Sequence, residues 1–301
     1  MIHDWKQGQR IRSFGTDGPG VIVLHGGPGA YGGSDTLAEG LSGKFRTLAP
    51  RQRRSGAVRL SVDIHVEDLR DLVETMAPSE PPALVGASWG AMLALAFAVK
   101  YPALCIALVG CGTFTDDARK ALTSTRLERI REHIARHPRF EDDLDLPVME
   151  QMLKWHEMTD TFSRADPPHG SDPAKQFDRQ AFEETWNDML RLQREGVYPR
   201  SFTAVSCPVV MIHGDYDPHP GTMTAECLRS YIPHLEYKEL TNCGHDPSIE
   251  RYARSECYDF LESWLVANTK RAPKAEGRCS IAQPGHCRDS LSTYVKPDKG
   301  A

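Results

Sequence analysis

The 301-residue chain has no basic excess: 36 Lys and Arg stand against 41 Asp and Glu, for a formal charge of −5. A nucleic-acid partner needs a concentrated basic surface, so none is expected. No long apolar run occurs either. The longest, residues 90–99, is half of the ~20 residues a spanning helix needs, so no membrane partner is expected. The opening MIHDWKQGQR lacks the apolar core of a signal peptide, which makes the expected compartment cytoplasmic. The eight cysteines contain no CxxC pair, which removes zinc-ribbon and thioredoxin-type chemistry. Spread over such a chain they are expected to be reduced thiols, with Cys207 in the core beside an apolar strand. His133 and His137 lie four apart, but Ile134 follows His133, so the HExxH zinc motif is absent and no metal is expected. No GKS/T occurs, and no cofactor is expected.

Hydrophobic residues make up 40% and charged residues 26%, enough apolar mass for one large domain or two moderate ones. Short apolar runs at 21–24, 45–49, 83–85 and 105–109 read as strands. Between them, Val66, Leu69, Leu72, Val73 and Met76 recur at helical spacing, with Ser61 or Asp63 as cap. Residues 89–99 are apolar on nearly every side, a central helix that Pro102 ends. Such alternation predicts a mostly parallel sheet covered on both faces. From 113 to 200 the pattern becomes purely helical, with stretches around Leu127, Ile130 and Ile134 and around Phe182, Trp186 and Met189. A Pro/Gly loop at 165–173 separates them. Alternation resumes with strands at 208–212 and 235–240 and helices at 222–231 and 249–265. The reading is an α/β core over 1–112 and 201–268, a helical insertion over 113–200, and a flexible tail over 269–301.

The chemistry concentrates at the ends of these strands. Gly86-Ala87-Ser88-Trp89-Gly90 matches G-x-S-x-G directly between a strand and a helix. Small residues on both sides let the chain turn tightly and lift the Ser88 hydroxyl to the positive end of the helix. A serine needs a base to take its proton and an acid to orient the base. The chain order expected after such a turn, acid then histidine, is supplied by His213-Gly214-Asp215-Tyr216-Asp217 and Gly244-His245-Asp246. Asp215 and Asp217 both follow a strand end. Gly214 permits an immediate turn, and Pro218 holds Asp217 extended, which favours Asp217. His25-Gly26-Gly27-Pro28-Gly29 follows the first apolar strand. Backbone N–H groups of Gly27 and Trp89 are the candidate donors to a developing oxyanion.

The set HGGPG, GASWG, GDYD and GH resembles the α/β-hydrolase superfamily. HGGPG with tryptophan after the nucleophile is similar to its proline iminopeptidase branch, over roughly residues 8–266. The resemblance implies an α/β-hydrolase fold with 113–200 in the place of a helical cap. It further implies Ser88 as nucleophile, Asp217 as acid, His245 as base, and a small-molecule or short peptide substrate. Two departures bear on specificity. An aspartate-glutamine-arginine-glycine run of the branch reads Arg51-Gln52-Arg53-Arg54, and its tryptophan-rich cap motif ending in glutamate is reduced to Trp155-His156-Glu157. Three readings follow: a serine hydrolase for a small ester, lactone, thioester or amide; an aminopeptidase whose cap carboxylates, from Glu150, Glu157, Glu183 and Glu184, hold a free amine; and a non-catalytic binding protein on the same fold.

Overall fold

The computed structural model describes residues 2–4, 9–76, 81–136 and 177–270. Their centre is an eight-stranded sheet in the order β1-β2-β4-β3-β5-β6-β7-β8. The strands are β1 (Ile2–Asp4), β2 (Arg10–Phe14), β3 (Gly20–Leu24), β4 (Arg46–Pro50), β5 (Ala83–Ala87), β6 (Cys105–Val109), β7 (Val209–Gly214) and β8 (Glu236–Leu240). From β4 across to β8 every pairing is parallel, while β1 and β2 add an antiparallel edge. The helices are α1 (Asp35–Leu41), α2 (Val62–Met76), α3 (Trp89–Lys100), α4 (Asp116–Arg136), α5 (Arg179–Arg194), α6 (Gly221–Arg229) and α7 (Arg254–Thr269).

Alternation along the central strands sorts the core into two layers. Ile22, Leu24, Leu84, Ile106, Leu108 and Met211 face one cluster, shared with α2 and α3. Val21, Val23, Val85, Ala107, Val210 and Ile212 face the other, shared with α1 and α7. Because side chains alternate across a strand and both faces are covered, a continuous apolar run serves where a one-sided sheet would need a polar partner at every second place. In α3, Trp89 to Phe97 are all buried, as expected of a helix apolar on every side. The Ser61 hydroxyl accepts from the Ile64 N–H at 3.2 Å, making Ser61 the cap of α2.

Several expectations shift. The strand before α1 begins at Gly20, β4 lies one residue later than read, and the last helix starts at Arg254, with turns over 249–253. That helix also runs on to Thr269, whose hydroxyl donates to the Leu265 carbonyl. Cys207 is half-buried at the margin of the first cluster. Set in a bend just before β7, it is not a core residue as expected. The six described cysteines are all free thiols. Between β6 and β7 the described residues form helices and loops only. His137, Glu150, the Trp155-His156-Glu157 stretch, the 165–173 loop and the tail from 271 lie outside the described residues.

Candidate functional site

Ser88 stands between β5 and α3 with φ 52° and ψ −114°, a backbone conformation costing about 1–3 kcal/mol for a non-glycine residue. Its surroundings hold it there. The Ser88 N–H donates to the Val109 carbonyl at 2.8 Å, and its own carbonyl accepts from Ala91. The turn closes only because its flanks lack side chains: a Cβ on Gly86 would overlap the Gly90 carbonyl, and one on Gly90 would overlap the Leu24 carbonyl. The strained turn follows directly from the G-x-S-x-G pattern.

His245 and Asp217 approach from the ends of β8 and β7. The His245 Nε2 lies 3.0 Å from Ser88 Oγ, and its Nδ1 lies 2.7 Å from Asp217 Oδ2. A proton on Nδ1, donated to the carboxylate, leaves the Nε2 lone pair facing the serine hydroxyl. Asp217 reaches this place through the turn expected of it, its N–H donating to the Gly214 carbonyl. Asp215 points elsewhere and accepts the Cys243 N–H at 3.1 Å. The His245 loop is fixed by Glu250, whose carboxylate accepts the N–H groups of Gly244 and Asp246.

Burial sets the electrostatics. The Asp217 side chain is fully buried. Burial alone would raise its pKa, but His245, His213 and His219, with the His219 hydrogen bond, hold it well below the ordinary carboxylate value. Burial depresses His245 in turn. The charge and hydrogen bond of Asp217, aided by Asp246, more than reverse this and leave its pKa above 6.5. A buried carboxylate paired with a histidine of raised pKa is suited to stabilise a transient imidazolium.

Two further histidines were not foreseen. The backbone N–H and the Nδ1 of His219 both lie 2.9 Å from Asp217 Oδ1. The His219 ring stacks on that of His245 with centroids 4.5 Å apart. Burial first, and then repulsion from His245, bring His219 to about 4 despite Asp217. His213 Nε2 lies 3.0 Å from the His219 carbonyl and 3.2 Å from Asp217 Oδ2. The ligand atoms of Asp217, His219 and His245 fall within 4.8 Å of one another, a grouping able to hold a metal ion. Their hydrogen bonds to each other and to Ser88 already account for that grouping. The sequence signal for His219 was its place two residues past Asp217, between Pro218 and Pro220.

The glycine loop closes over the serine. A Cβ on Gly26 would stand 3.0 Å from the Ser88 Cβ, and Gly27 has φ 56°, with its carbonyl accepting from Ala30. Trp89 opens α3, so its backbone N–H belongs to the first turn, which has no acceptors within the helix. Gln52 ties the two together. Its amide donates to the His25 carbonyl at 2.9 Å, and its oxygen accepts the Trp89 indole N–H at 2.8 Å.

The model of the alpha/beta hydrolase family matches residues 21–255. The pimeloyl-[acyl-carrier protein] methyl ester esterase of Nitrosomonas europaea is 24% identical over 265 residues, covering 81% of this chain and 96% of that relative. The proline iminopeptidase of Mycobacterium smegmatis has a similar structure, with TM-score 0.59 and 16% identity over 89% of this chain and 98% of that one. A thermophilic esterase from Thermogutta terrifontis aligns with TM-score 0.58 and 18% identity, again over 89% and 98%. At such identities these structural likenesses speak for the fold alone. Matched by the family model over most of its length, the chain belongs to the alpha/beta hydrolase family.

Proposed function

We propose that this chain is an esterase-type serine hydrolase in which Ser88 is the nucleophile, His245 the general base and Asp217 the orienting acid. The observation that carries the reading is the unbroken line from Ser88 Oγ through His245 to buried Asp217, at 3.0 and 2.7 Å, on a strained turn. In the first step Ser88 Oγ bonds to the ester carbonyl carbon while its proton passes to His245 Nε2. The carbonyl oxygen becomes an oxyanion that the N–H groups of Gly27 and Trp89 receive. Collapse breaks the bond to the alcohol, which takes the proton from His245, and an acyl-enzyme remains. Water, deprotonated by the same histidine, then releases the acid. The insertion over 113–200 would serve as the cap that governs which substrates reach Ser88. The esterase name of the curated relative fits this reading.

The aminopeptidase reading asks cap carboxylates to bind a free amine. Of the described candidates, Glu184 accepts the Leu60 N–H at 2.8 Å and Glu183 pairs with Arg179 on an exposed face. That engagement favours ester over amine-terminated substrates, with p-nitrophenyl esters turned over faster than proline arylamides. The direct test is fluorophosphonate labelling with turnover of a p-nitrophenyl ester panel. Ser88→Ala should abolish labelling and lower kcat by about 10⁴–10⁶. Undiminished labelling of that variant would remove Ser88 from the role, and tight ester binding without turnover by the unaltered chain would support a binding protein instead.

A further inference from the structure

We infer that Gln52 is a positioning residue for the oxyanion site, holding the Gly27 and Trp89 N–H groups at a fixed spacing through His25 and the Trp89 indole. This role rests on the serine hydrolase reading above. Gln52 follows β4, His25 follows β3, and Ser88 and Trp89 follow β5. These strands lie side by side and parallel in the order β4-β3-β5, so their three loops leave the same sheet edge next to one another. Gln52 spans all three with one side chain. Its amide nitrogen donates to the His25 carbonyl at 2.9 Å, and its amide oxygen accepts the Trp89 indole N–H at 2.8 Å. A carbonyl only accepts and an indole N–H only donates, so one orientation of the amide satisfies both. The same His25 carbonyl packs on the start of α3, where a Cβ on Gly90 would stand 2.8 Å from its oxygen.

The backbone of Gln52 completes the arrangement. Its N–H donates to His25 Nε2 at 3.1 Å, which places the ring proton on Nδ1. That nitrogen lies 2.9 Å from the Gly26 carbonyl oxygen and donates to it. The Gly26 carbonyl and the Gly27 N–H belong to one planar peptide unit, so fixing the first sets the direction of the second. Anchoring the indole of buried Trp89 fixes the residue that supplies the other N–H. Three bonds leave Gln52, and all three end on the two segments that carry the oxyanion donors. Such donors act by being aimed before charge develops, and a displacement of about 1 Å can cost about 10²-fold in rate.

Two variants test the role. Gln52→Met keeps the length of the side chain and removes both amide bonds. Gln52→Glu keeps the acceptor for Trp89 but sets an oxygen against the His25 carbonyl. Both are compared with the unaltered chain and Ser88→Ala in hydrolysis of p-nitrophenyl acetate and in inhibition by an alkyl trifluoromethyl ketone. With that ketone, Ser88 Oγ bonds to the carbonyl carbon, the serine proton passes to His245, and the former carbonyl oxygen carries the negative charge. In both variants kcat should fall about 10–100-fold with KM little changed, the mark of an interaction made only in the transition state. The inhibition constant of the ketone should rise by about the factor by which kcat/KM falls. Trp89→Phe should lose part of the same factor, and adding it to Gln52→Met should cost less than the two changes combined. Melting temperature checks folding in each variant; a residue that only packs would lower it and leave the ketone's inhibition constant in place. Unchanged kcat and ketone affinity in the folded Gln52 variants, with Ser88→Ala inactive, overturns the role of Gln52 alone. No turnover by the unaltered chain, or hydrolysis that survives in Ser88→Ala, overturns the hydrolase reading and this role with it.

Discussion

Asp217 receives more than its role as an orienting acid requires. His245 holds Oδ2, while the backbone and ring of His219 hold Oδ1. With its pKa near 4, His219 stays neutral at neutral pH and donates from Nδ1 without setting a second positive charge beside His245. His219→Leu removes that donor and frees the carboxylate to rotate. We expect kcat to fall about tenfold or more, the cost of one hydrogen bond to a charged group. The pH profile carries the sharper prediction. Among the described residues, Asp217, Asp246, His213 and Arg126 also act on the pair. A carboxylate with fewer donors stabilises the His245 imidazolium more strongly, so the acid limb of kcat/KM should move further above 6.5. His219→Asn, whose side-chain amide can replace Nδ1, should restore both kcat and the limb. A residue that merely packs would lower thermal stability and leave the limb in place.

At the scale of elements, α5 is bound to the core by carboxylates along one face. Asp178 caps the helix through the Ala181 N–H and accepts the N–H and hydroxyl of Ser55. Glu184 and Asp188 accept the N–H groups of Leu60 and Val62. The Asp178 N–H donates to the Gly29 carbonyl, joining α5 to the glycine loop beside Ser88. Asp178→Ala should cost about 1–3 kcal/mol, for a lost cap and an unpaired Ser55. Hydrogen exchange should then quicken in residues 179–194 and in the 25–31 loop together; unchanged protection in the loop would break the proposed link. None of this anchoring was legible beforehand, because a carboxylate on a helix face reads as solvated until its partner loop is known. The parallel strands were legible since both faces are buried and each run is continuous. The edge strands β1 and β2 escaped notice, being short and rich in charge, with Ile11 buried amid Arg10 and Arg12. Ser88, Asp217 and His245 were legible for a different reason: tight turns at strand ends demand particular residues at fixed offsets. Gln52 acts through partners far along the chain, which local spacing does not reveal, whereas His219 sits two residues past Asp217 and gains its meaning from the ring of His245 on which it stacks.

Over the whole molecule, three neutral histidines tie the stability of the fold to pH. His25, His65 and His219 are each depressed to about 4, in every case chiefly by burial. His25 shows why protonation is resisted. Its Nδ1 lies 2.9 Å from the Gly26 carbonyl and its Nε2 accepts the Gln52 N–H at 3.1 Å, so a second proton would cost the bond to Gln52. His65 meets Thr185 of α5 at 3.0 Å and the Trp89 ring edge at 6.1 Å. In the unfolded chain these histidines bind protons below about 6.5, whereas in the folded chain they do so only near 4. Stability therefore rises with pH across that window and falls as acid is added, by up to about 1.4 kcal/mol per pH unit for each histidine. Asp217, depressed below its ordinary value, adds stability that stays constant throughout this window and is lost only below it. His245, raised above 6.5, contributes most below 6.5 and loses its contribution as pH climbs, so its effect falls above the window. Urea unfolding at pH 7, 6 and 5 with constant ionic strength should show a steep fall in midpoint. Replacing His65 by Gln, which keeps a polar partner for Thr185 without a titrating group, should reduce that slope by about a third. A midpoint that stays level from pH 7 to 5, or a slope that His65→Gln leaves unchanged, would show that these rings are not the source of the acid sensitivity.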